Sequence, residues 1–162
     1  SRKDRRNVLD ALSSLNEQNF QRFGDPETQP IMMRLQSDIV ELCQLACEQK
    51  LNQATIDFDP RASVGVVLAA GGYPGGYDKG EVINGLSLNT LGDRKIFHAG
   101  TGMKNGEVVT AGGRVLCATA LGNNVTEAQK AAYQLLDQIS WNGVEFRTDI
   151  AYRAIAREQV IQ

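Results

Sequence analysis

Apolar side chains at Ile31, Leu35, Ile39, Leu42, Cys43 and Ala46 recur in steps of mostly three and four, the stripe of an amphipathic helix with one face on a core. The pattern predicts one helix from Thr28 to about Lys50. Its start is marked twice. Asp25 before Pro26 has the form of an N-cap with proline at the first helical position, and Thr28-Gln29-Pro30 repeats the arrangement. After a loop through Asp57-Phe58-Asp59-Pro60, a valine-rich run over 63–70 reads as a buried strand that Gly71-Gly72 stops.

The pattern then changes. Segments 81–88, 95–101, 107–110 and 114–121 are strand-length and separated by turns containing glycine or asparagine, which predicts an antiparallel sheet. Thr126-Glu127-Ala128-Gln129 has the form of a capping box. Behind it, Ala128, Ala131, Ala132, Leu135, Leu136 and Ile139 place one apolar helix face over that sheet. A short strand over 144–147 and a last helix from about Tyr152 complete an α+β reading, a mostly antiparallel sheet packed with helices. Upstream, Val8, Leu9, Leu12 and Leu15 among charges predict a short amphipathic helix.

Composition narrows the class. The 162 residues are 42% hydrophobic and 22% charged with a net charge of -2. That suits one domain able to bury a core, with no global basic excess to draw nucleic acid or anionic lipid. The basic cluster Arg2, Lys3, Arg5 and Arg6 is read as a solvated terminus, and no signal-peptide core follows it. No stretch approaches the roughly 20 apolar residues of a membrane span. Cys43, Cys47 and Cys117 are odd in number and show no zinc-type spacing, which fits a reduced, cytoplasmic setting. Cys43 and Cys47 are expected as buried thiols one helical turn apart.

The densest chemistry is Arg22-Phe23-Gly24-Asp25-Pro26-Glu27-Thr28-Gln29-Pro30. A guanidinium such as Arg22 can grip phosphate or carboxylate through its planar fork, with Asp25 and Glu27 holding an amine or ordering the arginine. The plainer reading is a helix start in which the two acids favour the positive end of the macrodipole. The loop Gly71-Gly72-Tyr73-Pro74-Gly75-Gly76-Tyr77 follows a strand, but no helix and no Gly-Lys-Ser/Thr follow it, so it is not a P-loop. It reads first as a connection needing positive φ at glycine. Arg114, after Gly112-Gly113, can meet a ribose phosphate or simply begin an exposed strand. His98, the only histidine, has no evident partner and is read as structural.

In series, the Arg22 to Pro30 signature, Ala69-Ala70-Gly71-Gly72-Tyr73-Pro74-Gly75, Phe97-His98-Ala99-Gly100-Thr101, Gly112-Gly113-Arg114-Val115-Leu116 and Asp149-Ile150-Ala151-Tyr152-Arg153-Ala154 resemble the glycinamide ribonucleotide synthetase (phosphoribosylamine–glycine ligase) family. The resemblance runs from about residue 22 to the end. It implies the C-terminal domain of an ATP-grasp ligase of purine synthesis over 22–162, preceded by an atypical segment over 1–21. The implied reaction joins glycine to phosphoribosylamine with ATP and magnesium or manganese. By that resemblance Arg22 is the catalytic charge stabiliser, and Asp25, Glu27, Gly71, Gly72 and Arg114 line the substrate site.

The family's metal ligands come from a strand reading Glu-apolar-Asn-x-Arg. Here Glu17-Gln18-Asn19-Phe20-Gln21-Arg22 carries one residue more. Without a gap, Gln18 and Phe20 fall at the ligand positions; a one-residue bulge restores Glu17 and Asn19. The resemblance also implies that nucleotide-grasping and N-terminal substrate domains lie elsewhere. The isolated chain is therefore expected to be inactive unless that portion is supplied in trans. The alternative is a non-catalytic remnant or interaction module from an interrupted gene.

Overall fold

Alternate side chains of the first strand, β1 (Ala62–Ala70), are buried: Val64, Val66, Leu68 and Ala70 point to one face, as the two-residue repeat of a pleated strand requires. The computed structural model describes residues 28–86 and 92–161. After β1 come β2 (Arg94–His98), β3 (Thr101–Lys104), β4 (Glu107–Thr110), β5 (Arg114–Gly122) and, later, β6 (Val144–Phe146). Four of them form an antiparallel sheet in the order β2-β5-β1-β6, while β3 and β4 pair as a separate hairpin. The α+β expectation therefore holds.

The inner face of the sheet is closed by a helix over Val125–Leu136, the third in chain order after α1 (Thr28–Arg34) and α2 (Ile39–Cys47) and hence α3. Its Ala128, Ala132, Leu135 and Leu136 are buried with Val64, Val66, Leu68, Leu116, Ala118 and Ala120 in one core. Each fully buried leucine there is worth about 1.5–3 kcal/mol of burial. Gly122 lets the first turn of α3 approach β5, since a Cβ there would meet the helix backbone at Glu127 C within 2.8 Å. A final helix, α4 (Tyr152–Ile161), is tied to the start of α3 by the Val125 N–H donating to Glu158 Oε1 at 2.8 Å.

The cap of α3 is shifted from expectation. Asn124, not Thr126, is the N-cap: its Oδ1 accepts from Glu127 N–H at 2.8 Å. The Glu127 carboxylate reaches back to Asn123, accepting from its backbone N–H at 3.1 Å and its Nδ2 at 2.9 Å. Gln129 instead donates to Ile150 O at 2.6 Å. Asparagine ranks above threonine at this position, and two asparagines precede the apolar face.

The single helix expected to about Lys50 is two. Ser37 and Asp38 interrupt it because their short polar side chains offer the backbone better partners. Asp38 Oδ1 accepts from Val40 N–H at 2.8 Å and restarts the helix, while Ser37 Oγ accepts from Asp57 N–H at 2.8 Å. The segment before β1 then docks on the break, with Gln36 N–H donating to Asp57 O and Asp59 N–H to Arg34 O. Of these two helices α1 is the one that lies against β1 and β5, on the outer face, where Pro30 fills the space left by Gly65. No residue of α2 is buried, so its apolar stripe does not face the core. Cys47 is exposed and Cys43 half-buried, contrary to the expectation of buried thiols.

Two strand expectations also change. No regular strand forms over the described part of 81–88; Val82 and Asn84 make isolated bridges to Val109 and Ser140, and Gly80 and Gly85 at φ 91° and 85° bend the chain on either side. The 95–101 segment splits after His98, because Ala99 and Gly100 both donate to Val115 O and turn the chain into β3. The helix expected within 1–21 lies outside the described residues. Among those described, no helix is long and apolar enough to cross a membrane.

Candidate functional site

Three separated glycine-bearing turns meet at one end of the sheet. The first is the loop after β1, the second Ala99-Gly100 between β2 and β3, and the third Ala111-Gly112-Gly113 between β4 and β5. Gly100 O accepts from both Ala111 N–H at 2.8 Å and Gly112 N–H at 3.0 Å, and Ala70 N–H donates to Gly113 O at 2.8 Å. The backbones touch: a Cβ on Gly100 would stand 2.6 Å from Arg114 O and 2.7 Å from Gly112 Cα. Glycine is required here for close approach rather than for unusual φ. Gly113 serves a different purpose, making room for the Tyr73 ring.

These turns enclose a cleft of 510 Å³, which Tyr73, Tyr77, Lys79, Thr101, Gly112 and Arg114 help to line. Tyr73 and Tyr77 meet edge to face at 5.9 Å, and Lys79 Nζ lies 5.7 Å from the Tyr77 ring centre. Two cationic side chains thus enter a space to which no described carboxylate contributes. Neither Lys79 nor Arg114 forms a salt bridge among the described residues.

A second depression of 770 Å³ runs across the outer face of the sheet. It is floored by Gly65, Val67 and Ala69 and bounded by Pro30, Phe146 and Ile150. Tyr73 and Arg114 line both spaces, so they stand at the junction. The outer face is open because β1 carries small or half-exposed side chains there and α1 covers only part of it. Arg147, on the rim, is held by Asp149 at 2.6 and 2.8 Å. That hydrogen-bonded pairing raises the arginine pKa and lowers the carboxylate's. Both side chains are exposed, so the pair contributes little to stability.

The sequence-derived site residues divide into three groups. Arg114 enters the cleft as expected. Gly71 and Gly72 line neither space: Gly71 packs on the Gly143 backbone, and Gly72, at φ 88°, donates its N–H to Glu145 Oε1 at 3.3 Å. They shape the loop that carries Tyr73 inward. Arg22, Asp25, Glu27, Glu17 and Asn19 lie outside the described residues. His98 is exposed, its Nδ1 3.1 Å from Thr101 Oγ1. Lys79 was missed; the available signal was a lysine closing a loop that already carried two tyrosines. Tyr73 and Tyr77 lie in the 71–77 loop, whose sequence signal is carried by its glycines.

Among the described residues no three His, Cys, Asp or Glu side chains gather where a metal ion could be held. Glu17 and Asn19, the magnesium or manganese ligands implied by the resemblance, lie outside the described residues.

The profile of the phosphoribosylglycinamide synthetase C domain matches residues 63–153. Similar proteins include the phosphoribosylamine–glycine ligases of Vibrio cholerae, 70% identical over 138 residues, and Vibrio parahaemolyticus, 63% identical over 138 residues. Each match takes in 85% of this chain and 32% of the relative. The crystal structure of phosphoribosylamine–glycine ligase from Thermotoga maritima matches with a TM-score of 0.60 and 32% identity, over 77% of this chain and 30% of that one. The chain spans about a third of the length of the curated relatives it matches.

Proposed function

The chain belongs to the phosphoribosylglycinamide synthetase C-domain family, and we propose that it forms the C-terminal part of a cytoplasmic phosphoribosylamine–glycine ligase of purine synthesis. The observation that supports this reading is that the 69–75, 97–101 and 112–116 motifs, distant in sequence, build the walls of one cleft.

In the proposed reaction the glycine carboxylate takes the γ-phosphoryl group of ATP. The amine of phosphoribosylamine then attacks the acyl phosphate, forming the amide and releasing phosphate. Negative charge accumulates during the transfer, and the acyl phosphate must be kept from water. Arg22 is proposed to spread charge on the transferring phosphoryl group, Asp25 and Glu27 to hold the substrate amine, and Arg114 to bind substrate from the cleft. Gly71 and Gly72 serve the site by shaping the loop that presents Tyr73. Glu17 and Asn19 are the proposed metal ligands.

The test is product formation from ATP, glycine and phosphoribosylamine. The chain is assayed alone and with the remaining N-terminal portion of a relative ligase supplied in trans. No turnover alone and turnover on complementation is the expected result. Turnover near 1 per second by the chain alone, about the low end of common enzyme rates, would overturn the proposed division of labour. No turnover and no ligand binding in either arrangement would instead support a non-catalytic remnant. Within a complete ligase carrying this C-terminal part, Arg22→Ala lowers kcat while leaving the melting temperature unchanged; unchanged kcat would remove Arg22 from catalysis.

A further inference from the structure

Independently of the ligase reading, we infer that Cys43 and Cys47 form a two-thiolate chelate on α2 for a soft, two-coordinate cation of the monovalent copper class. The two residues stand one helical turn apart on a helix with no buried residue. Both are free thiols, Cys47 exposed and Cys43 half-buried, and neither sulfur is hydrogen-bonded among the described residues. Cys117 is the opposite case, buried and with its Sγ 3.4 Å from Thr119 Oγ1.

The spacing separates two kinds of thiol chemistry. Cβ atoms four residues apart on one helix face lie about 5–6 Å from each other. A disulfide needs them at roughly 3.5–4.5 Å, so the pair does not close on itself while α2 stays helical. An ion seated between the sulfurs needs more room. With metal–sulfur bonds near the roughly 2.3 Å of zinc thiolates, the two sulfurs stand about 4.6 Å apart at most, and each Cβ lies one bond further back. The helix therefore holds the thiols at the span of a bridging ion.

The surroundings select softness and low coordination number. Glu48, the neighbouring acid, accepts from Gln44 Nε2 and from Lys50 Nζ, each at 3.0 Å, so partners on the same segment engage its carboxylate. No third His, Cys, Asp or Glu gathers with the pair among the described residues. Structural zinc takes four ligands, and magnesium or calcium takes oxygen. Two thiolates match an ion that prefers soft ligands and is satisfied by few of them. Binding exchanges two S–H bonds for two metal–sulfur bonds. Both protons go to solvent and no oxidation state changes.

The probe is Cu(I), added without oxygen to the reduced 162-residue chain in competition with a chromogenic copper chelator. Uptake of one ion per chain is expected, with a sulfur-to-copper charge-transfer band in the ultraviolet and protection of Cys43 and Cys47 from alkylation. Cys43→Ala and Cys47→Ala each weaken binding by about a hundredfold or more, because the second bond of a chelate forms at high effective concentration. Cys47→Ala combined with Glu48→Cys keeps the thiol count but sets the pair five residues, about 140°, apart around the helix; it weakens binding as much as Cys47→Ala alone. Circular dichroism checks that each variant keeps the helix content of the parent chain.

No uptake, parent-like binding by either single variant, or full binding by the relocated pair overturns the chelate. One ion per two chains also overturns it, since the thiols would then bridge copies. Zn(II) bound more tightly than Cu(I) would refute the low coordination number. None of these readouts depends on turnover, so complementation of the ligase and copper uptake succeed or fail separately.

Discussion

Replacing Gly100 by alanine adds one methyl group at the point where the two turns of the cleft touch. The new Cβ would lie 2.6 Å from Arg114 O, 2.7 Å from Gly112 Cα and 2.9 Å from Gly112 N, against about 3.5–4.0 Å for a favourable contact between carbon atoms. All three neighbours are backbone, so no side chain can rotate away. The turns must separate by several tenths of an ångström at least, stretching the two hydrogen bonds to Gly100 O.

Overpacking of this kind costs about 1–3 kcal/mol. In a chain of this size each kcal/mol moves the melting temperature by roughly 2–4 °C, so a drop of about 2–12 °C is expected. Gly76→Ala is the matched control, since a Cβ there meets nothing within 4 Å and its φ is not positive; its melting temperature stays within about 1 °C. Thermal unfolding followed by circular dichroism measures both. Amide shifts in Gly100→Ala should move at 111–114 and remain fixed in α3. If Gly100→Ala melts with the parent chain and leaves those shifts unmoved, the turns do not touch as described and the rigid-cleft argument fails.

Asp59, hydrogen-bonded by the Arg61 guanidinium and backbone N–H, has its pKa lowered to about 2 from 3.8. A depressed carboxylate stabilises above its unfolded pKa and loses that contribution as pH falls through its folded value. The urea midpoint difference between parent and Asp59→Asn should therefore be full above about pH 4 and shrink toward pH 2, and a constant difference would refute the linkage. Cys117, buried beside Thr119, has its thiol pKa raised by burial, whereas Cys47 is exposed. Alkylation of the native chain read by mass spectrometry should label Cys47 and spare Cys117, and equal labelling would contradict the packing. Asn124→Ala removes the cap of α3 and should cost about 1 kcal/mol; Thr126→Ala, at the position suggested by the sequence pattern, should cost less in the same urea titration.

Local periodicity was sufficient wherever burial is one-sided. The alternation at Val64, Val66, Leu68 and Ala70, and the helical spacing of Ala128, Ala132, Leu135 and Leu136, identified the faces that meet in the core. They did so because a strand or helix with one apolar side has few ways to hide it. The same reasoning failed at 28–50. There the stripe from Ile31 to Ala46 is regular, but Ser37 and Asp38 find partners in the segment before β1 and cut the helix in two. A polar side chain's distant acceptor or donor has no local sequence signature.

The cleft divides in the same way. Its glycine turns and Arg114 were legible as motifs, while their convergence was decided by the β2-β5-β1 pairing and by backbone contacts at Gly100 and Gly112. Lys79 became part of the site only when the loop after β1 folded beside those turns. Sequence alone specified which faces are apolar, because that is a property of neighbouring residues. Tertiary structure decided which charges share a cavity and which are neutralised, because charge pairing depends on distances between residues far apart in the chain.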